Sequence, residues 1–182
     1  MTHKLKREDC LFLFIDIQDS LARAMSGGQE AIKQAEILAK TAEIMDIDTI
    51  FTTQYKKGLG DFTESIRQER SRAIDFDKAA FSAMLEEDFV KILEETGKNT
   101  LVVSGMETHI CCLFTVRDLL EAGKKVVVAF DAMASRNPEN KAYALEEMRD
   151  MGATIRSTES ILFDLNSVSG TPEFKAVQKL IK

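Results

Sequence analysis

Three residue types stand where covalent chemistry can be done. Asp16 closes the apolar run LFLFI, Lys78 sits in the string DKAAFS, and Cys111 follows GMETHI with Cys112 beside it. A thiol is the strongest nucleophile here, provided something takes its proton. If Thr108 caps a helix, Cys111 is its third residue. The backbone N–H groups and the helix dipole then favour a thiolate, and the same N–H groups can hold the oxyanion of a tetrahedral intermediate. A carboxylate near the thiol can accept the proton and return it to a leaving group, once partial burial has raised its pKa. A lysine ammonium would balance the charge. An Asp-Lys-Cys set could thus do what a Cys-His pair does elsewhere. Each residue also has a plain use: a buried structural thiol, a loop-holding carboxylate, a solvated surface lysine.

Other chemistries have less material. The chain has two histidines, His3 and His109, too few for a His-built zinc site. Its three cysteines, two adjacent, do not make a disulfide framework and fit reduced thiols. No cofactor is expected.

These residues need a scaffold to converge. The run at 11–15 reads as a strand buried on both faces, as in a parallel sheet. Residues 29–46 are apolar at helical spacing, and 49–53 is β-rich. The stretch 54–73 has no period and reads as a long surface loop. A short strand at 73–76 would precede Lys78. A helix is expected over 82–96, a strand over 100–104, a helix over 108–122 and a strand over 126–130. Asn137-Pro138 opens a helix to 151, followed by a strand at 153–157 and a last helix from Thr171-Pro172 to Lys182. Alternating strands and helices predict an α/β, doubly wound, three-layer sandwich in which the carboxyl ends of the strands carry the site.

The 182 residues suit one domain over 1–182. The net charge of −6 argues against a nucleic-acid partner. The N-terminus is too polar for a signal peptide, and no run approaches the ~20 apolar residues of a membrane helix. The chain is expected to be cytoplasmic, with no membrane partner.

The strings LFLFIDIQDSL, TTQYKKGLGDF, DKAAFSAM, the long stretch from GMETHICC through DAMASRNPEN, and TESILFDL carry a resemblance. In order and over nearly the whole chain, the sequence resembles the isochorismatase-like cysteine hydrolases, most of all the isochorismatase domain-containing branch. The resemblance implies a six-stranded, mostly parallel sheet between helices. It assigns Asp16, Lys78 and Cys111 as the catalytic triad. It implies a cis Met106–Glu107 bond, with the Glu107 and Cys111 N–H groups as the oxyanion hole. The activity implied is hydrolysis of a small amide-like substrate through a thioester, and assembly as a homo-oligomer. Gln18, Gln54, Tyr55 and Phe81 are candidate pocket walls. Phe114 and Leu113 could face a partner subunit or be buried in the same chain.

One departure is informative. The nicotinamidase branch carries a D-x-H metal motif where this chain has Gln54-Tyr55-Lys56, so no zinc site is expected. Two other readings stay open. A non-catalytic sensor or interaction domain could use the same scaffold. A Mg-dependent phosphatase could use Asp16, although Gln18 stands where its second aspartate belongs.

Overall fold

The computed structural model describes residues 4–67 and 73–182. Its sheet has six strands in the order β3-β2-β1-β4-β5-β6. They are β1 (Cys10–Ile15), β2 (Asp48–Gln54), β3 (Ala73–Lys78), β4 (Thr100–Met106), β5 (Lys125–Ala134) and β6 (Thr154–Arg156). Every neighbouring pair is parallel. The helices are α1 (Asp19–Ala22), α2 (Gly28–Met45), α3 (Lys56–Leu59), α4 (Glu87–Glu95), α5 (Leu113–Glu121), α6 (Pro138–Asp150), α7 (Thr158–Leu165) and α8 (Pro172–Gln178).

The strand β1 shows why a continuous apolar run was required. Side chains alternate across a strand, so Cys10, Phe12 and Phe14 enter the core under α2, α7 and α8. Leu11, Leu13 and Ile15 enter the core under α4, α5 and α6. Each such side chain contributes about 1.5–3 kcal/mol by leaving water. Phe14 stacks on Phe51, ring centres 4.6 Å apart, and Phe51 stacks on Phe62 at 5.1 Å. The result is the three-layer sandwich expected, with both sheet faces covered.

Helix ends follow their local chemistry. Asn137 accepts from the Glu139 N–H at the start of α6, with Pro138 in the first turn, and Thr171 accepts from the Phe174 N–H at the start of α8. Three expectations are corrected. The strand before Lys78 runs through it rather than stopping at 76. The 54–73 stretch carries α3 and a 3₁₀ turn over Glu64–Ile66, while residues 68–72 lie outside those described. The helix α7 was not anticipated. Ser157 caps it and Asp131 accepts from both the N–H and the hydroxyl of Thr158.

The sheet order reverses direction between β1 and β4. In open α/β sheets the crevice beyond the strand ends at such a point receives ligands. Asp16 follows β1, Lys78 ends β3, and Cys111 lies in the turn after β4.

Candidate functional site

Asp16 is fully buried and takes a left-handed backbone, φ 52°, where the chain leaves β1. That conformation is unusual for a residue with a side chain and clusters at functional sites. The neighbouring strand holds it. Its N–H donates to the Thr52 carbonyl at 3.1 Å, and the Thr52 hydroxyl donates to Asp16 Oδ1 at 2.7 Å.

The other carboxylate oxygen, Oδ2, accepts from Lys78 Nζ at 2.7 Å, and both side chains are wholly removed from solvent. Lys78 is therefore no solvated surface lysine. Its ammonium also donates to Gln54 Oε1 at 2.6 Å and to the Ala80 carbonyl at 3.2 Å. The loop after Lys78 is pinned in turn. Glu86 accepts from the N–H groups of Ala79 and Ala80, which hold its carboxyl below the usual carboxylate range. Ser82 donates to Asp118 on α5.

Cys111 is 6% exposed and lies in a π-helical turn, Thr108–Cys112, that precedes α5. Such turns are frequent at functional sites. The Met106–Glu107 peptide is cis, as the resemblance implied. The Glu107 carbonyl accepts from Ile110 N and Cys112 N at 3.1 and 3.2 Å, passing over the N–H of Cys111. Thr108 does not cap the helix as expected. Its hydroxyl donates to the Ala134 carbonyl at 3.0 Å.

A second expectation about the turn is reversed. Burial pushes the Cys111 thiol up to about 12, and the Asp16 charge pushes the same way while Lys78 opposes it. The resting group is a thiol. Desolvation and a nearby carboxylate outweigh the helix dipole. Cys112 is more deeply buried and is held up for the same reason, with Cys111 beside it. Cys10, also raised to about 12 by burial, sits at the opposite end of β1.

The string DAMASR explains itself around this turn. Asp131 anchors α7, Ala134 receives Thr108, and the Ser135 hydroxyl lies 3.0 Å from His109 Nδ1. Arg136 donates from Nε and from its backbone N–H to the Glu107 carboxylate. Burial would raise Glu107, but Arg136 holds it below its ordinary value. His109 thus braces the turn.

The expected pocket residues separate. Gln18 is fully buried and committed to main chain: its Oε1 accepts from Gln54 N at 2.8 Å and its Nε2 donates to Gly60 O at 2.7 Å. Gln54 holds Lys78. Tyr55 and Phe81, each 57% exposed, directly follow Gln54 and Ala80 in the chain. Leu113 is buried within this chain, and Phe114 is half-buried with the Arg117 guanidinium over its ring. Thr52 was missed. Its only signal is that a hydroxyl-bearing strand residue lies level with the end of β1. Two clefts of about 470 and 460 Å³ lie at the amino ends of the strands, away from these groups. Among the described residues no three His, Cys, Asp or Glu side chains converge as a metal centre needs, and no helix is long and apolar enough to cross a membrane.

Comparison with known proteins adds to this geometry. The isochorismatase domain profile matches residues 10–160. Isochorismatase family protein 1B of Dictyostelium discoideum is 31% identical, covering 98% of this chain and 89% of its own. The MAR1 ribonuclease of Caenorhabditis elegans superposes with a TM-score of 0.89 at 31% identity, over 98% of this chain and 92% of that one. YcaC from Pseudomonas aeruginosa, solved with hexane-2,5-diol and covalent acrylamide, gives a TM-score of 0.92 at 26% identity, over 99% and 92%. The ribonuclease likeness corrects the expectation of no nucleic-acid partner. Net charge sums the whole surface and cannot exclude a nucleic acid at one site. Here Lys56 and Lys57 are exposed directly after Tyr55.

Proposed function

The chain belongs to the isochorismatase family, and on that footing we propose that it is a cysteine hydrolase in which Asp16, Lys78 and Cys111 form the catalytic triad. The observation that carries this reading is the buried Lys78–Asp16 pair at 2.7 Å, whose two charges both act on the Cys111 thiol. Family membership supplies catalytic potential, and the triad is the chemistry these side chains allow.

The substrate is a small amide-like molecule with a C–N bond. Asp16 accepts the thiol proton as the sulfur bonds to the carbonyl carbon. The oxyanion faces the N–H groups of Glu107 and Cys111. As the C–N bond breaks, Asp16 gives its proton to the departing nitrogen and a thioester remains. Water then attacks the thioester carbon while Asp16 takes a water proton. The C–S bond breaks, the acid leaves, and the thiolate recovers the proton. Lys78 keeps the local charge balanced throughout, and no step calls for a metal or cofactor. Burial of the thiol suits this scheme, because the proton moves only when a substrate has displaced water. The covalent acrylamide on the Pseudomonas relative supports a nucleophilic site on this scaffold. Release of ammonia or amine from a panel of small amides, lost in Cys111→Ala, tests the reading; turnover that survives the substitution overturns it.

A second reading is cleavage of RNA, favoured by the likeness to the C. elegans ribonuclease. The exposed Tyr55 and Phe81 could stack bases, and Lys57 could meet phosphates, with Lys56 joining only by leaving Asp61. Incubation with end-labelled single-stranded RNA separates the two: cutting by the wild type but not by Cys111→Ala would favour RNA, and an intact RNA would remove it.

A further inference from the structure

An ammonium has three N–H bonds and no more. Those of Lys78 are all engaged: Asp16 Oδ2 at 2.7 Å, Gln54 Oε1 at 2.6 Å and the Ala80 carbonyl at 3.2 Å. Lys78 already acts on the Cys111 thiol as a side-chain neighbour, and it can give a forming thiolate an N–H of its own only by releasing one of these three partners. Bonds of an ammonium to a carboxylate are the strong ones, and the Ala80 contact is the longest of the three.

The Gln54 contact is built to stay. The Gln54 Nε2 donates to the Ala79 carbonyl at 2.7 Å, so the amide oxygen must face Lys78. Its backbone N–H donates to Gln18 Oε1 at 2.8 Å. Gln18 donates on to the carbonyls of Gly60 at 2.7 Å and Gln54 at 3.3 Å. Two amide side chains thus bracket the end of β2 and aim one oxygen at the ammonium. The Ala80 carbonyl has a different support: Glu86 holds the N–H groups of Ala79 and Ala80 but leaves their carbonyls to other partners.

We propose that Gln54 is a positioning residue of the reaction, holding Lys78 on Asp16 so that only its bond to the Ala80 carbonyl exchanges for the Cys111 sulfur as the thiolate forms. Gln18 acts one step further out, by fixing Gln54. This goes beyond pocket walls for both residues and rests on the triad reading above. Asp16 and Lys78 are the charged groups that act on the Cys111 thiol; Glu107, itself facing Arg136 and His109, acts on the neighbouring Cys112, and Glu86 faces Lys78.

The test needs no substrate. The full chain is alkylated with iodoacetamide across a pH series, and the Cys111 adduct is resolved from those of Cys10 and Cys112 by mass spectrometry. Gln54→Leu and Gln54→Glu, both close to glutamine in size, are compared with wild type after thermal melts check that they fold. In Gln54→Leu the ammonium loses an acceptor and turns to the sulfur, so the Cys111 profile moves to lower pH and its rate at pH 8 rises about threefold or more. In Gln54→Glu a second carboxylate occupies Lys78, so the profile moves to higher pH and the rate falls by a similar factor. A merely structural role would not displace the two variants in opposite directions. Profiles unmoved, or moved the same way, while Asp16→Asn still shifts the thiol overturn the bracket alone. A thiol indifferent to Asp16→Asn as well overturns the triad reading and this inference with it.

Discussion

Replacing Asp16 by asparagine should move two properties of the site in opposite directions. The Cys111 thiol stands at about 12 because of burial first and the Asp16 carboxylate next, against the opposing charge of Lys78. Asparagine keeps the shape, removes the anion and leaves Lys78 facing the sulfur. A unit charge at ~4 Å and an effective dielectric of ~20 is worth about 4 kcal/mol, or nearly three powers of ten in ionisation. Burial still opposes the thiolate, so only part of this appears. We expect alkylation of Cys111 at pH 8 to rise about tenfold or more. Turnover should vanish, because asparagine can neither take nor return a proton. The variant must be assayed cold, since stranding a buried lysine costs about 3–5 kcal/mol of stability; circular dichroism would confirm the fold. The companion Lys78→Met should slow alkylation, having removed a cation that favours the thiolate. If Asp16→Asn left Cys111 as slow as in wild type while the fold persisted, the claimed coupling between carboxylate and thiol would be refuted.

Four further outcomes follow from the same structure. Cys10 and Cys111 are lifted from 9.0 to about 12 in the folded chain. Below pH 9 both folded and unfolded thiols hold their protons; between 9 and 12 only the unfolded ones release them, so stability falls as pH rises. Each thiol accounts for about 1.4 kcal/mol per pH unit, and urea midpoints of Cys111→Ala should fall less steeply over that window than those of wild type. Gly105→Ala places a Cβ 2.2 Å from the Ile15 carbonyl at φ 150°; the clash is with backbone next to Asp16, so a melt should show strong destabilisation and activity should drop with it. Phe14→Ala removes a fully buried ring stacked on Phe51 and should cost about 3–5 kcal/mol in denaturant unfolding. Arg136→Gln releases Glu107, whose carboxyl is held low in the folded chain; its stability deficit should be present at pH 7 and disappear as pH falls below the ordinary carboxylate range.

Much of this was legible because the core is written in simple patterns. LFLFI suits a strand with both faces covered, and α2 shows its buried Ala31, Ile32, Ala35, Leu38, Ala39 and Ala42 at helical spacing. Other features were hidden for physical reasons. In β3, AIDFDK is an edge strand with Asp75 and Asp77 exposed, so its apolar signal fades two residues before the strand ends. In α7, eight residues are too few to establish a period. The π-helical turn reads like any helix start, because one extra residue in a turn leaves no mark on hydrophobic spacing. Thr52 looks like ordinary β propensity until the register sets it against Ile15 and shows that it reaches the next residue. The triad itself came from resemblance to a family; position alone left its members open to plain structural uses.

Burial explains why the thiol keeps its proton where a helix start alone would favour the thiolate. A helix-terminal cysteine read in isolation meets a favourable dipole worth a few tenths to ~2 kcal/mol. In the folded chain that cysteine meets a wall of apolar side chains and a carboxylate, and these win. The same burial makes the Lys78–Asp16 pair rigid, because either charge without the other would be stranded in the core. The site therefore rests as a neutral thiol beside a buried ion pair whose ammonium is held by three oxygen acceptors. Such a site is inert to water and slow toward casual electrophiles. On the triad reading proposed above, it becomes reactive only when a bound carbonyl offers the sulfur a bond and the oxyanion a place, and when the loosest lysine bond gives way. On the triad reading, reactivity is thus conditional on occupancy, and occupancy is governed by the residues that keep Lys78 in place.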